Sequence, residues 1–217
     1  MPLRFSVTIS FPVAGTDKAN SESRVNSLEK TTLFPPRENA TNKNLQERKM
    51  IKTERLYITE FTLDMVEAVH LNSLDNDNRR FNPDEVFETM EDARDTVEFL
   101  MNVYENGDGP LVYPVLLTDG TNIGYVQIVP MDDGNCEVGY HIAKEYAGNG
   151  YATEAVKAFL PKIMKKLDVK EILGICVAEN IASIKVLEKT GFTKVFEGMG
   201  KYQDKERSIC KYVYKLK

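Results

Sequence analysis

The chain has 217 residues and a formal net charge of -5, so it can form one good-sized domain, with or without an extension. Apolar residues make up 42% of it but never form a run of roughly 18, which predicts that no segment crosses a membrane. Cys136, Cys176 and Cys210 are far apart and include no C-x-x-C pair, so neither a disulfide framework nor a metal site is predicted. A reducing, cytoplasmic location fits this cysteine usage.

The charge is distributed unevenly along the chain. Residues 1–49 hold 8 Lys and Arg against 5 Asp and Glu, whereas residues 50–217 hold 20 against 28. An acidic body disfavours nucleic acid and favours a cationic partner. Residues 14–49 are polar and show no sustained apolar period, so residues 1–49 are predicted to be a flexible or loosely attached extension. A partner-binding arm is the alternative, and residues 50–217 are predicted to be the domain.

The first part of the domain predicts a strand followed by two helices. Residues 55–61 alternate like a strand, and apolar residues at helical spacing follow from Met65. A second helix is predicted over 90–104, because Thr89 and Asp92 resemble a capping box in front of an apolar stripe.

The second part predicts a meander and then alternating elements. Three antiparallel strands, 111–118, 123–129 and 136–142, are joined by Asp-Gly turns. A helix begins at Tyr151, and Pro161 should kink it. The remaining elements are a strand at 171–177, a helix at 181–189 that ends at Gly191, and strands near 192–196 and 207–214. This order predicts an α+β fold with helices on the faces of a sheet.

The stretch EYAGNGYATE, residues 145–154, places two glycines just before a helix. Unpaired backbone N–H groups at a helix start favour an anion, and glycine lets a phosphate approach the backbone closely. A plain glycine turn is the alternative. Neither a Walker motif nor a G-x-G-x-x-G dinucleotide motif is present.

Two motifs, IAKEYAGNGYATEA (142–155) and NIASIKVLEKTGF (180–192), resemble the acetyl-CoA-binding core of the GNAT N-acetyltransferase superfamily. The resemblance runs from about residue 53 to the C-terminus, and is closest to the ribosomal-protein N-terminal acetyltransferase branch. It implies a mostly antiparallel mixed sheet, helices on both faces and a splayed acetyl-CoA cleft. It also implies an acetyl-CoA co-substrate, an amine acceptor and no metal; homodimers are common among such relatives.

The resemblance assigns the CoA pyrophosphate to the loop and first turn after residue 146. The residues implied are Ala147, Gly148, Asn149, Gly150, Tyr151, Ala152 and Thr153. Ala147 departs from the family, which usually has Arg or Gln at this position. Ile142 is implied to pair its backbone with the pantetheine arm, and Asn180 is implied to contact the cofactor, although Asn180 also fits a helix N-cap.

Acetyl transfer to an amine needs a base, an oxyanion contact and a group near the departing thiolate. The resemblance implies Glu137 as the base, against the alternative of a solvated strand carboxylate, and backbone N–H groups near Ile142 for the oxyanion. Leu187 stands where the family usually has tyrosine, and Ser183 is implied to lie near the thiolate instead. The alternative is that Ser183 is a plain helix-start residue. Cys136 and His141 should point to opposite faces of one strand, with four residues between them, which excludes a dyad.

The predicted function is therefore acetyl-CoA-dependent transfer of an acetyl group to a primary amine, at a protein N-terminus or on a small molecule. Two alternatives stay open at this point. One is a non-catalytic acyl-CoA-binding module, which Ala147 and Leu187 make credible. The other is a scaffold whose N-terminal arm docks a partner.

Overall fold

The computed structural model describes residues 51–107, 109–131, 133–203 and 205–216. The predicted extension at 1–49 lies outside these residues and stays a prediction. The strands are β1 Ile51–Lys52, β2 Leu56–Ile58, β3 Leu111–Leu117, β4 Asn122–Pro130, β5 Cys136–Ile142, β6 Glu171–Val177, β7 Thr193–Tyr202 and β8 Lys205–Lys215. The α-helices are α1 Val66–Ser73, α2 Asn76–Phe81, α3 Met90–Asn106, α4 Tyr151–Leu167 and α5 Ile181–Thr190.

The described strands form a single mixed sheet in the order β1-β2-β3-β4-β5-β6-β8-β7. Every neighbouring pair is antiparallel except β5 and β6, which run parallel. The chain needs a crossover between parallel neighbours, and α4 supplies it. The predicted α+β class and the meander of β3, β4 and β5 are confirmed.

Local capping signals place the helix ends close to their predicted positions. The Thr89 hydroxyl accepts from the Asp92 amide while the Asp92 carboxylate accepts from the Thr89 amide, which completes the capping box of α3. Helix α5 ends at Thr190 and is capped by Gly191, whose φ of 95° lies in the left-handed region. Pro161 lies inside α4, which continues as one helix to Leu167.

The segment between α1 and α3 differs from the sequence prediction. It contains α2 and a 3-10 turn at Pro83–Glu85, where no helix was predicted. Asp75 caps α2 by accepting from the Asn78 amide, and the buried Asn78 side chain donates to the carbonyls of Ser73 and Glu85. Polar contacts hold this segment in place, whereas longer helices show apolar residues at regular helical spacing. The sequence therefore contains only a weak helical pattern here.

Strand β5 divides the two layers of the molecule. Cys136 and Val138 point into the core, whereas Glu137 and His141 point to the opposite face. His141 contacts Asp75 at the start of α2, and the Tyr140 hydroxyl donates to the Ser183 carbonyl in α5. Helices therefore cover both faces of the sheet around β5, as predicted.

Candidate active site

A cavity of about 820 Å³ lies where β5 and β6 separate. The two strands pair in register at Glu137 and Leu173, with no further pair among the described residues, so they diverge toward Ile142. This volume is in the range of small-molecule sites. The cavity brings together nearly all of the predicted site residues: Glu137, Ile142, Ala147, Gly148, Gly150, Tyr151, Ala152, Thr153, Asn180 and Ser183. Asn149 is not part of its lining.

The glycines before α4 are required by the backbone. Gly148 and Gly150 both have a φ of 81°, a conformation that side-chain-bearing residues rarely adopt. A Cβ atom at Gly148 would meet no atom within 4 Å, so the space above this residue is open. Gly150 is the N-cap of α4, and no side chain caps this helix start. The first residues of α4, 151–153, line the cavity, and a helix start has backbone N–H groups without partners in the helix, which suits an anion.

The loop between these glycines is held by contacts that sequence reasoning missed. The Asn149 side chain donates back to the carbonyls of Tyr146 and Ala147, at 3.1 and 3.3 Å. The Asn149 carbonyl accepts from Nη1 of Arg55 at 3.1 Å. Asn149 thus shapes the loop, and its predicted role in cofactor binding rests on its backbone. The resemblance begins at about residue 53 and so includes Arg55, but it did not indicate this contact.

The open edge of β5 offers backbone groups to an extended ligand. On its other edge β5 pairs with β4 up to the Gly124–Ile142 pair. A Cβ atom at Gly124 would lie 2.0 Å from the His141 carbonyl oxygen, so glycine is needed for the strands to approach at this point. The backbone of β5 is thereby fixed near Ile142, as the predicted pantetheine contact requires.

Glu137 lies on the sheet face that points to α2, at the closed end of the cleft. Burial raises the pKa of Glu137 to about 8; the Ile175 amide opposes this rise, and the charge of Glu85 adds to it. A carboxyl with this pKa can accept a proton near neutral pH. By accessible surface the Glu137 side chain is half-buried, so its role as the base stays a prediction beside the alternative of a solvated carboxylate.

A polar cluster behind Glu137 was not predicted from the sequence. Gln127 on β4 donates to Glu85 at 2.9 Å, and burial raises the pKa of Glu85. A Cβ atom at Gly139 would lie 2.5 Å from the Gln127 amide nitrogen, so glycine at 139 makes room for this side chain. His141 and Asp75 contact each other at 3.0 Å on the same face. Burial would raise the pKa of Asp75. Hydrogen bonds to its carboxylate from His141 and from backbone amides outweigh burial, so this pKa is lowered.

The start of α5 forms the opposite wall of the cavity. The Asn180 side chain accepts from the Ser183 amide at 3.0 Å, so Asn180 is the N-cap of α5. Ser183 lines the cavity, and its carbonyl accepts from the Tyr140 hydroxyl, whose pKa burial raises. Leu187 is 1% exposed, and a Cβ atom at Gly174 would lie 2.5 Å from it. Leu187 is thus part of the core packing at the position where the family usually has tyrosine.

The cysteines are placed as structural residues. Cys136 is buried on the face of β5 opposite His141, whose ring contacts Asp75 instead. Cys176 lines the cavity, but burial raises the pKa of its thiol to about 12, which disfavours the nucleophilic thiolate.

No three His, Cys, Asp or Glu side chains are grouped for a metal in the described part of the chain. Over the same residues, no helix has the length and apolar character of a membrane span.

Comparison with known proteins identifies related sequences. The family model described as "Acetyltransferase (GNAT) domain" matches residues 55–193. The uncharacterized N-acetyltransferase YnaD of Bacillus subtilis is 32% identical over 146 residues, which are 66% of this chain and 82% of that protein. The uncharacterized N-acetyltransferase p20 of Bacillus licheniformis is 24% identical over 168 residues, 76% of this chain and 93% of p20.

Solved structures share the fold. A GNAT-family acetyltransferase from Bacillus anthracis superposes with a TM-score of 0.64 at 28% identity, over 76% of this chain and 98% of that one. RimL, a ribosomal L7/L12 α-N-protein acetyltransferase solved in complex with CoA, gives a TM-score of 0.66 at 17% identity, over 77% and 98%. The family match covers both the glycine loop and the start of α5. The chain belongs to the GNAT family and is an acetyltransferase with the GNAT fold.

Proposed function

We propose that this acetyltransferase moves the acetyl group of acetyl-CoA directly to a primary amine, and that its acceptor is the α-amino group of a protein N-terminus. The observation that carries the proposal is the position of Glu137. Its desolvated carboxyl lines the same cavity as the glycine loop, at the point where β5 and β6 separate. The base and the donor loop are thus at two ends of one cleft.

The residues present fit acetyl-CoA. The uncapped start of α4 and the open space at Gly148 suit a pyrophosphate, and the unpaired edge of β5 suits the amides of a pantetheine arm. These contacts would direct the thioester toward Glu137. When bound, acetyl-CoA supplies an activated acetyl group. Asn180 and Ser183 line the same path from α5.

The chain supplies one group for each chemical task. Glu137 takes the proton that the acceptor ammonium must lose before its nitrogen bonds to the acetyl carbon. Backbone N–H groups of β5 near Ile142 stabilise the negative charge that develops on the acetyl oxygen. As the carbon–sulfur bond breaks, the Ser183 hydroxyl hydrogen-bonds to the thiolate, which takes up the second proton that the acceptor nitrogen loses when it becomes an amide. The products are an N-acetylated amine and CoA.

Proton affinity favours an α-amine over a lysine-like amine as the acceptor. An N-terminal α-amine has a pKa of roughly 7.7 to 8.0, against about 10.4 for a lysine side chain. The pKa of Glu137, raised by burial to about 8, is closer to the first of these values than to the second. Proton transfer between groups of matched pKa is close to balanced, whereas taking a proton from a lysine-like amine is uphill. A solved relative from Salmonella typhimurium is described as modifying the N-terminal serine of ribosomal protein L7/L12.

The test is release of free CoA, measured with a thiol reagent, from acetyl-CoA and a panel of acceptors. The panel contains a peptide with a free N-terminal serine, the same peptide with a blocked N-terminus and an internal lysine, a polyamine and an amino sugar. We expect turnover of the first peptide and at least about tenfold less of the others. Turnover restricted to the small amines would overturn the acceptor assignment, and no turnover of any acceptor would count against the reaction itself.

A further inference from the structure

Arg55, in the turn between β1 and β2, lies beside the glycine loop although it is far from it in sequence. We infer that Arg55 is a positioning residue for the pyrophosphate of acetyl-CoA. It holds the Gly148–Gly150 loop against the first turn of α4 and neutralises Glu154, the acidic residue of that turn. The inference rests on the proposed binding of acetyl-CoA at this loop.

The guanidinium of Arg55 contacts three parts of the loop and helix at once. Nε and Nη2 lie 2.7 and 2.6 Å from Oε2 of Glu154, and Nη1 donates to the Asn149 carbonyl at 3.1 Å. The guanidinium carbon lies 4.5 Å from the centre of the Tyr151 ring. One side chain therefore fixes the residue before Gly150, the first residue of α4 and the carboxylate one turn into the helix.

Glu154 is held ionised at this helix start. Its Oε1 accepts from the Thr53 hydroxyl at 2.6 Å and from the Arg55 amide at 3.2 Å. Burial would raise the pKa of Glu154, but hydrogen bonds from Thr53 and Arg55 lower it instead. A carboxylate in the first turn stabilises a free helix, yet it repels a second anion at the same terminus. The positive charge of Arg55 offsets this repulsion.

The Arg55 side chain can be replaced without breaking the other contacts between this turn and α4. The Thr53 hydroxyl and the Arg55 backbone amide contact Glu154 without the guanidinium, so β1 and β2 stay joined to α4 when only the Arg55 side chain is changed. A Cβ atom at Gly150 would lie 3.7 Å from Nη2, so the guanidinium lies next to the N-cap of α4, where the pyrophosphate is proposed to bind. The Arg55→Gln variant is thus expected to fold and to lose mainly charge and loop order.

The experiment compares two ligands by equilibrium titration, calorimetry for CoA and ligand-observed NMR for pantetheine. CoA carries the pyrophosphate and pantetheine does not. The proteins are the wild type, Arg55→Gln, the double variant Arg55→Gln/Glu154→Gln and the control Arg79→Gln. Arg79 also forms an exposed pair with a glutamate, Glu88, but it lies on α2, whereas Arg55 contacts the glycine loop through the Asn149 carbonyl.

We expect Arg55→Gln to raise the dissociation constant for CoA by about tenfold, because the charge of Glu154 is then no longer offset beside the pyrophosphate, and to leave pantetheine binding unchanged. The double variant should regain at least half of that loss on a logarithmic scale, and Arg79→Gln should bind both ligands like the wild type. Unchanged CoA affinity in Arg55→Gln, equal weakening of both ligands, or no recovery in the double variant would overturn the inference. A wild type that binds no CoA would instead overturn the proposed function.

Discussion

Replacing Glu137 with glutamine removes the ionisable carboxyl from the cleft and keeps the size of the side chain. Burial raises the pKa of this carboxyl in the folded protein from 4.5 to about 8. In the wild type, its contribution to stability is fully present below pH 4.5 and is lost as the pH rises toward 8, because the folded protein resists the ionisation that the unfolded chain allows. Glutamine has no such loss, so the variant should gain stability relative to the wild type as the pH rises.

The size of this gain follows from the two pKa values. At about 1.36 kcal/mol for each pH unit, a rise from 4.5 to about 8 corresponds to on the order of 4 to 5 kcal/mol. The Glu137 side chain is half-buried where it lines the cleft, so water reaches part of the carboxyl and reduces this cost. We expect the free energy of unfolding of Glu137→Gln to exceed that of the wild type by roughly 2 to 3 kcal/mol at pH 9 and by about zero at pH 4.5.

Urea unfolding of both proteins at several pH values between 4.5 and 9 measures this difference directly and needs no acceptor. The control is Glu98→Gln, an exposed position on α3, where the change should stay within about 0.5 kcal/mol at every pH. With an acceptor in hand, Glu137→Gln should also lose at least about a hundredfold in turnover while it still binds acetyl-CoA. A difference in stability that does not grow with pH would show that Glu137 is not desolvated, and the reasoning would fail.

Three further substitutions test other parts of the site. Gly150→Ala should weaken acetyl-CoA binding and cost about 1 kcal/mol of stability, because φ is 81° at this position; thermal unfolding and calorimetry measure the two effects, and unchanged values would refute the strain. Leu187→Ala should cost about 2 to 5 kcal/mol in urea unfolding, since its side chain is 1% exposed and packs over Gly174; a cost below about 1 kcal/mol would contradict this packing. Ser183→Ala should lower kcat by about tenfold. Stability should change little, because Asn180 accepts from the backbone amide of Ser183 and not from its hydroxyl. A kcat equal to that of the wild type would show that Ser183 is only a helix-start residue.

Local patterns were sufficient for most of the long elements. The predicted strand bounds of β5 and β6 agree with the structure, and the capping box placed the start of α3. Alternation along β5 separated Glu137 and His141 from Cys136, which the burial of the strand confirms. The glycines at 148 and 150 were recognised as a special turn before a helix, and their φ values show the reason. Each of these features depends on residues within a few positions of one another.

What the sequence alone determined about this protein is therefore the order of its longer elements, its glycine loop and, through two motifs, its family. The tertiary structure decided the environment of each functional group. Arg55 and Glu154 are 99 residues apart, and Gln127 and Glu85 are 42 apart, so no local period announces either contact. The raised pKa of Glu137 likewise depends on packing by distant segments. Desolvation and charge pairing act through space, and only the folded chain brings their sources together.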